Sequence, residues 1–311
     1  MAGGADGILQ SFGSTGGAKE DIVDLIEQIS PTETPFLTLL GKTRAYNTYH
    51  EWLTDVMNAT ATSGDVVAEG ESATNYALQD KTRYANYTII SDRVFTISGT
   101  EESISHYGLD SQYAYQLEKA MKELKIKIER QLLGASAASA GAEGTARHLG
   151  GAFKFAIDYG NVVSGEASTS ALTESVYNDL LEDCFEDGGM PDTTFVNGWL
   201  KRRISSFQSD NQRTKEHDGK LDSVVDVYIS DFGQQRIVLD RWCDGLANAE
   251  KGAGLTLEMD KWKIAYLRPP RTNPLAVDGD RKSVQILAEY TLEALAPTQI
   301  GFMSAFATAS V

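Results

Sequence analysis

The stretch LDSQYAYQLEKAMKELKIKIERQLL, residues 109–133, decides how the chain is read. Tyr113, Leu117, Met121, Leu124, Ile128 and Leu132 recur every three or four positions, which aligns them on one face of an α-helix. Ala114 and Ala120 add strong helix formers. Asp110 or Ser111 can cap the start, because a short side-chain oxygen there accepts an otherwise unpaired backbone N–H. Glu118–Lys122 and Glu123–Lys127 stand four apart with the acid first, the better order for helical ion pairs. Gly134 ends the run as a residue tolerant of the left-handed conformation. Such a helix spans roughly 35 Å at ~1.5 Å per residue. It is long for a globular domain and carries one apolar stripe. It reads either as a core helix of an ordinary α/β enzyme or as a spine across which a flat subunit is built.

Upstream, NTYHEWLTD (47–55) and NYTIISDRVFTIS (86–98) are rich in β-branched and aromatic residues and predict strands. Between them, MNATATSGDVVAEGESATNYALQDKTRYA is polar and built of small residues. Loops beyond ~12–15 residues are uncommon in compact domains unless they serve a function. This excursion has little core of its own, so it is expected to be ordered against another subunit. Residues 1–20 hold six glycines and read as a flexible arm, ordered only when a partner holds it. Ile22, Leu25, Ile26 and Ile29 then mark a short amphipathic helix, ended by Pro31.

Downstream, the glycine- and alanine-rich residues 134–151 read as a loop, and 153–163 as a short strand. Val176, Leu180, Leu181 and Cys184 mark a second helix over 174–186, closed by Gly188 and Gly189. PDTTFVNG (191–198) reads as a buried strand, GWLKRRISSF (198–207) as a third helix, basic on one side, and 209–220 as a polar loop. VVDVYIS and QRIVLD are strands, and 255–269 looks like a hairpin turning at Asp260–Lys261. SVQILAEYTLEALAP (283–297) is a long strand, followed by a last one near 300–306. Strands and helices interleave through 171–270 and the final strand returns afterwards, so the spine and the C-terminal strand are expected to share one discontinuous domain.

The chain has 311 residues, enough for one large domain or two moderate ones. A net charge of −16 and a pI near 4.7 argue against nucleic-acid gripping as its main task, since phosphates demand a basic surface. No apolar run approaches a membrane span, and MAGGADGILQSFG has no signal-peptide layout. Two cysteines, Cys184 and Cys243, give neither a disulfide framework nor a metal cluster. They read as buried packing residues, and reduced cytosolic thiols are the expectation. In that setting the sequons at Asn58 and Asn86 carry no meaning.

Chemistry-bearing motifs are missing. His50, His106, His148 and His217 form no HExxH or HxH pair, so nothing supports a zinc site. Gly41-Lys42-Thr43 looks like the tail of a phosphate loop, but Phe36 stands where its first glycine belongs. Asp278-Gly279-Asp280 lacks the ligand spacing of a calcium loop. No catalytic residue, cofactor or metal is assigned.

Several phrases, in order and spacing, resemble the coat proteins of tailed bacteriophages. They are DIVDLIEQISPTETPFLTLLGK, YHEWLTD, GTARHLGG, PDTTFVNGWLKRRISSF, WKIAYLRP and ILAEYTLEALAP. The nearest likeness is to the major capsid protein family named after phage SU10, over about 21–305. That resemblance implies an α+β, HK97-like coat fold. Residues 1–44 would form the N-terminal arm and 45–100 the extended loop. The peripheral domain would comprise 101–170 and 282–311 with the spine at 110–133, and the axial domain 171–281. It implies pentamers and hexamers of the chain assembling into an icosahedral virion shell in the host cytoplasm, around double-stranded DNA lying in non-specific proximity. Partners would be a separate scaffolding protein, a portal protein and a decoration protein. The absence of a long helical segment before the arm is the reason for expecting the scaffold to be separate. Arg83, Arg93, Lys201, Arg202 and Arg203 are candidates for inter-subunit ion pairs, set against the plain alternative of solvated surface charge. Two other readings remain: an encapsulin-type nanocompartment with the same fold, and a soluble α/β enzyme with an acidic cleft.

Overall fold

The computed structural model describes residues 30–57, 69–70, 72, 80–106, 111–165, 172–207, 216–217, 220–221, 227–244, 253–276, 279–304 and 306. The glycine-rich arm, the helix expected before Pro31 and most of the polar excursion lie outside these residues. In chain order the elements begin with α1 (Pro35–Leu39), β1 (Gly41–Arg44), β2 (Tyr49–Thr54), β3 (Thr82–Tyr87), β4 (Ile89–Ser98) and α2 (Gly99–Ser103). The spine is α3 (Gln112–Leu133), followed by α4 (Ala152–Tyr159), β5 (Asn161–Ser164), α5 (Glu174–Glu186), β6 (Thr193–Val196) and α6 (Gly198–Phe207). Then come β7 (Glu216–His217), β8 (Lys220–Leu221), β9 (Val227–Ser230), β10 (Gly233–Leu239) and β11 (Gly254–Leu257). The chain closes with β12 (Trp262–Pro274), β13 (Arg281–Ala294) and β14 (Gly301–Ser304).

Local chemistry sets the ends of the spine. The Ser111 hydroxyl accepts the Ala114 amide at 3.3 Å, and the Glu102 carboxylate accepts the Tyr113 amide and the Ser111 hydroxyl, each at 3.0 Å. Two orphan N–H groups are thereby satisfied. The apolar stripe is deepest in its second half, where Leu124, Ile128 and Leu132 are buried. Met121, expected on the same stripe, is exposed. Glu118 pairs with Lys122 at 2.7 Å, but Glu123 turns to Arg93 and Lys127 to Asp92. Gly134 has φ −48° and uses no left-handed geometry. The glycine required there is Gly151, where a Cβ would lie 2.2 Å from the Gly134 carbonyl oxygen.

Two main sheets organise the remainder. A four-stranded sheet has the order β1-β12-β13-β4, parallel only between β1 and β12. β12 slips register on either side of Arg268, next to Pro269 and Pro270, which cannot donate to a ladder. The spine lies along this sheet, with Phe95 of β4 and Tyr113 of α3 5.8 Å apart between ring centroids. A six-stranded mixed sheet has the order β5-β14-β11-β6-β10-β9. Every residue of β6 is buried because this sheet is covered on both faces. Phe195, Leu255 and Phe302 belong to the larger core with α3, α4 and Trp262. Val196, Ile237 and Met303 belong to a second core with α5 and α6. At α5 the Thr173 hydroxyl caps the start, and the expected glycine stop follows, with Gly188 at φ +82° after the last turn.

Three further expectations change. Residues 152–159 are a helix, with Phe153, Phe155 and Ala156 buried together, and only 161–164 form a strand. β11 and β12 do not pair as a hairpin. A 3₁₀ turn at Met259–Lys261 sends β11 into the six-stranded sheet and β12 into the four-stranded one. Within the stretch read as a polar loop, β7 and β8 pair as a two-residue antiparallel ladder. Sheet membership also runs across the expected segments. The four-stranded sheet draws β1, β4, β12 and β13 each from a different one, and β5 and β14 join the strands of 171–281.

Candidate assembly surfaces

β2 and β3 pair antiparallel from Tyr49–Tyr87 to Thr54–Thr82, leaving residues 55–81 beyond the ladder. The root of this hairpin is bound to the long strand β13. The Trp52 indole N–H donates to the Ala294 carbonyl at 2.7 Å. Buried Asn86 donates to the Leu292 and Gly150 carbonyls, both at 2.9 Å, and accepts the Gly150 amide at 2.8 Å. His50 meets Glu293 at 3.0 Å. Toward the outer end the pattern inverts: Leu53, Val56 and Met57 are 57%, 66% and 89% exposed. Apolar side chains this open need a covering surface to be sequestered from water.

Beside the root sits a polar knot on the sheet face turned away from the spine. Glu289, 4% exposed at its side chain, receives Arg147 at 2.6 Å, Arg268 at 2.7 Å and the Thr88 hydroxyl at 3.1 Å. Two guanidinium groups and a hydroxyl satisfy its oxygens, the condition under which a buried carboxylate is tolerated.

Of the five cations named from sequence, Arg83 pairs with Glu51 at 3.6 Å within the hairpin, and Arg93 pairs with Glu123 of the spine at 3.3 Å. Lys201 donates to the Ile237 carbonyl at 3.4 Å and Arg203 to the Leu172 carbonyl at 2.8 Å, while Arg202 is exposed. They do not form one cluster: Arg83 lies on the hairpin, Arg93 beside the spine, and the other three on α6 against the six-stranded sheet.

Sequence reasoning missed the fastening of the N-terminal segment. Glu129, on the spine, accepts the Phe36 amide at 2.8 Å and the Leu37 amide at 2.6 Å. The Trp242 indole donates to the Glu33 carbonyl at 3.0 Å, and Arg241 approaches the Glu33 carboxylate at 3.5 Å. The Phe36 ring packs edge-on against Phe195, with centroids 5.2 Å apart. The signal available was the position of Glu129 between Ile128 and Leu132 on the buried side of the helix.

The concavity beside the spine is not an acidic cleft. The hollow beside the spine, about 460 Å³, is lined by Arg93, Lys127 and Arg130, with Glu123 and Trp242. Burial pushes the Cys184 thiol up to about 12, which makes it a packing residue rather than a nucleophile. Among the described residues no group of three or more metal-ligating side chains is placed to hold an ion, and no helix is long and apolar enough to cross a membrane.

This arrangement, a spine helix along one sheet, a second sheet between two helical layers and a two-stranded ribbon rooted on β13, is that of phage shells. The capsid of a native GTA particle superposes with a TM-score of 0.68 at 8% identity, covering 96% of this chain and 99% of that one. The capsid of Myoviridae phage XM1 gives 0.64 at 12% identity, covering 96% and 99%. The holo-SrpI encapsulin complex of Synechococcus elongatus PCC 7942 gives 0.57 at 11% identity, covering 94% of each chain. The molecule therefore has the HK97-like coat fold, of mixed α+β class. Within that class, the SU10 major capsid protein family matches residues 8–306, and the chain belongs to it. The "Major capsid protein" of Escherichia phage Phieco32 is 24% identical over 340 residues, covering 92% of this chain and 94% of that protein.

Proposed function

We propose that this chain, as a major capsid protein of a tailed phage, closes pentamers and hexamers of itself into an icosahedral shell around double-stranded DNA. The carrying observation is the hairpin. A ribbon anchored to β13 through Trp52, Asn86 and His50, with its outer apolar side chains open to water, suits a subunit whose neighbours complete its surface. In this reading 1–44 is the arm, 45–100 the extended loop, 101–170 with 282–311 the peripheral domain and 171–281 the axial domain. Arg202, exposed on α6, and Arg83, exposed on the hairpin, would face neighbouring copies. The net charge of −16 suits an inner wall that lies beside packaged DNA without gripping it. A separate scaffolding protein, a portal and a decoration protein would complete the particle, assembled in the host cytoplasm. The shell acts by packing alone, without catalysis.

Expression of the chain, alone and with its neighbouring genes, followed by sedimentation and negative-stain microscopy tests this. Closed shells or rings of five and six are expected. A monomer or dimer under every condition would overturn it. The encapsulin reading shares the fold, and family membership favours the phage. An enzyme co-purifying inside the shells, in place of DNA packaging, would reverse that preference.

A further inference from the structure

Glu129, which fastens the N-terminal segment, and Asp240, not yet described, are both fully buried. Glu129 gives its two oxygens to the Phe36 and Leu37 amides. Asp240 gives Oδ1 to the Trp242 amide at 2.8 Å, whereas its Oδ2, also buried, has no hydrogen-bond donor among the described residues. The two carboxyls adjoin. The charged groups on the surrounding elements are turned elsewhere. On the spine, Arg130 lies over the Trp242 ring at 5.6 Å. On the turn after β10, Arg241 meets Glu33 of the N-terminal segment. On α6, Lys201 donates to the Ile237 carbonyl.

Two adjoining carboxylates removed from water, with no cation between them, repel strongly. One proton resolves both problems: it cancels a charge and supplies the O–H donor that Asp240 Oδ2 lacks. We propose that the Glu129–Asp240 pair holds a single proton in the folded protein and works as a proton-dependent latch on residues 33–40. With the proton in place, Glu129 can hold the Phe36 and Leu37 amides while bonding Asp240. Without it, the two charges push the spine and the end of β10 apart, and the clamp on the N-terminal segment loosens. Burial first, and then the Asp240 charge, pushes the Glu129 carboxyl up to about 8, against the opposing pull of the two amides. Burial raises Asp240 as well. The folded state thus binds the proton more tightly than the unfolded chain does. The latch is at full strength below the ordinary glutamate value of 4.5 and drains away as the pH rises through about 8. It is a property of the subunit and stands or falls separately from the shell-forming role.

Hydrogen–deuterium exchange of the purified full-length protein, read on the peptide spanning 33–40 from pH 6 to 9.5 and corrected for intrinsic rates, tests the latch. Protection in the wild type is expected to fall by up to about tenfold per pH unit above 8. Glu129→Gln, which keeps an acceptor for an amide and brings an N–H to Asp240, should flatten that profile. Asp240→Asn should do the same, and serves if the first variant does not fold. Infrared spectroscopy at pH 7 should show a protonated-carboxyl band that either variant removes. A flat wild-type profile, a variant that keeps the wild-type slope, or no such band would each overturn the proposal.

Discussion

At its root the β2–β3 hairpin is held by a buried indole, a buried amide and a histidine–carboxylate contact, all directed at β13. A few residues outward, the same two strands carry Leu53, Val56 and Met57 open to water and one exposed ion pair, Arg83–Glu51. The strands and ladder are the same; only the company differs. The root satisfies every strong polar group inside the subunit, so its residues determine whether the chain folds. The outer end leaves apolar surface unsatisfied, so its residues determine what the folded chain meets. Stability and assembly are therefore separable along one ribbon, and substitutions at its two ends should fail in different ways.

The largest effect should come from Trp52→Ala. This residue is 8% exposed, packs 6.1 Å from the Phe155 ring and bonds the Ala294 carbonyl. Truncating a buried aromatic costs about 3–5 kcal/mol. Urea denaturation should show the loss, and an unchanged midpoint would break the division between root and tip. Asn86→Ala comes next. It strands the Gly150 amide and the Gly150 and Leu292 carbonyls, buried groups worth ~1–3 kcal/mol each when unsatisfied; ordered water that replaces the amide would bring the total to about 3 kcal/mol. Glu289→Ala should follow at about 1–3 kcal/mol, less than for a fully buried pair, because the Arg147 and Arg268 side chains are 25% and 38% exposed and water can take over their charge.

What the sequence made legible follows the range of the forces involved. The spine helix, its Ser111 cap and the glycine stop of α5 are settled by residues within a few positions of one another, and those readings stand. The same local view mistook AFKFAIDY for a strand, because a short run with buried Phe153, Phe155 and Ala156 fits either period. It joined β11 to β12 because alternation along two neighbouring strands does not reveal which sheet each one enters. Asn86 was legible only as a sequon without meaning, although it is the buried hinge of the hairpin root. Its partner Leu292 lies 206 positions away. The place of Glu129 beside Ile128 and Leu132 hints at burial but names no partner, and only the return of residues 33–40 over the spine gives it work. The coat class was readable because phrase order carried it, whereas single cations could not be sorted into internal and external partners. Arg83 and Arg93 both prove to have acidic neighbours in their own chain.

The smallest effects on folding should be the most informative about assembly. Met57→Ser and Arg83→Ala remove groups that are 89% exposed and, for the Arg83 side chain, 67% exposed. Neither leaves a buried partner behind, and an exposed ion pair contributes under about 1 kcal/mol, so urea midpoints should stay within ~0.5 kcal/mol of the parent. Sedimentation should nonetheless show fewer closed particles for Met57→Ser, since a neighbour that buries this side chain loses its apolar contact. Arg83→Ala then separates two outcomes. Unaltered shells would leave Glu51 as its sole partner and reduce it to surface charge. Weakened shells that respond to salt would place an acidic group of a neighbouring copy opposite the hairpin, because only an interaction between partly solvated charges is screened over about 10 Å at 0.1 M salt. If instead both variants unfolded the subunit while assembling normally below the transition, the outer end would belong to the fold, and the distinction between the two ends of the ribbon would collapse.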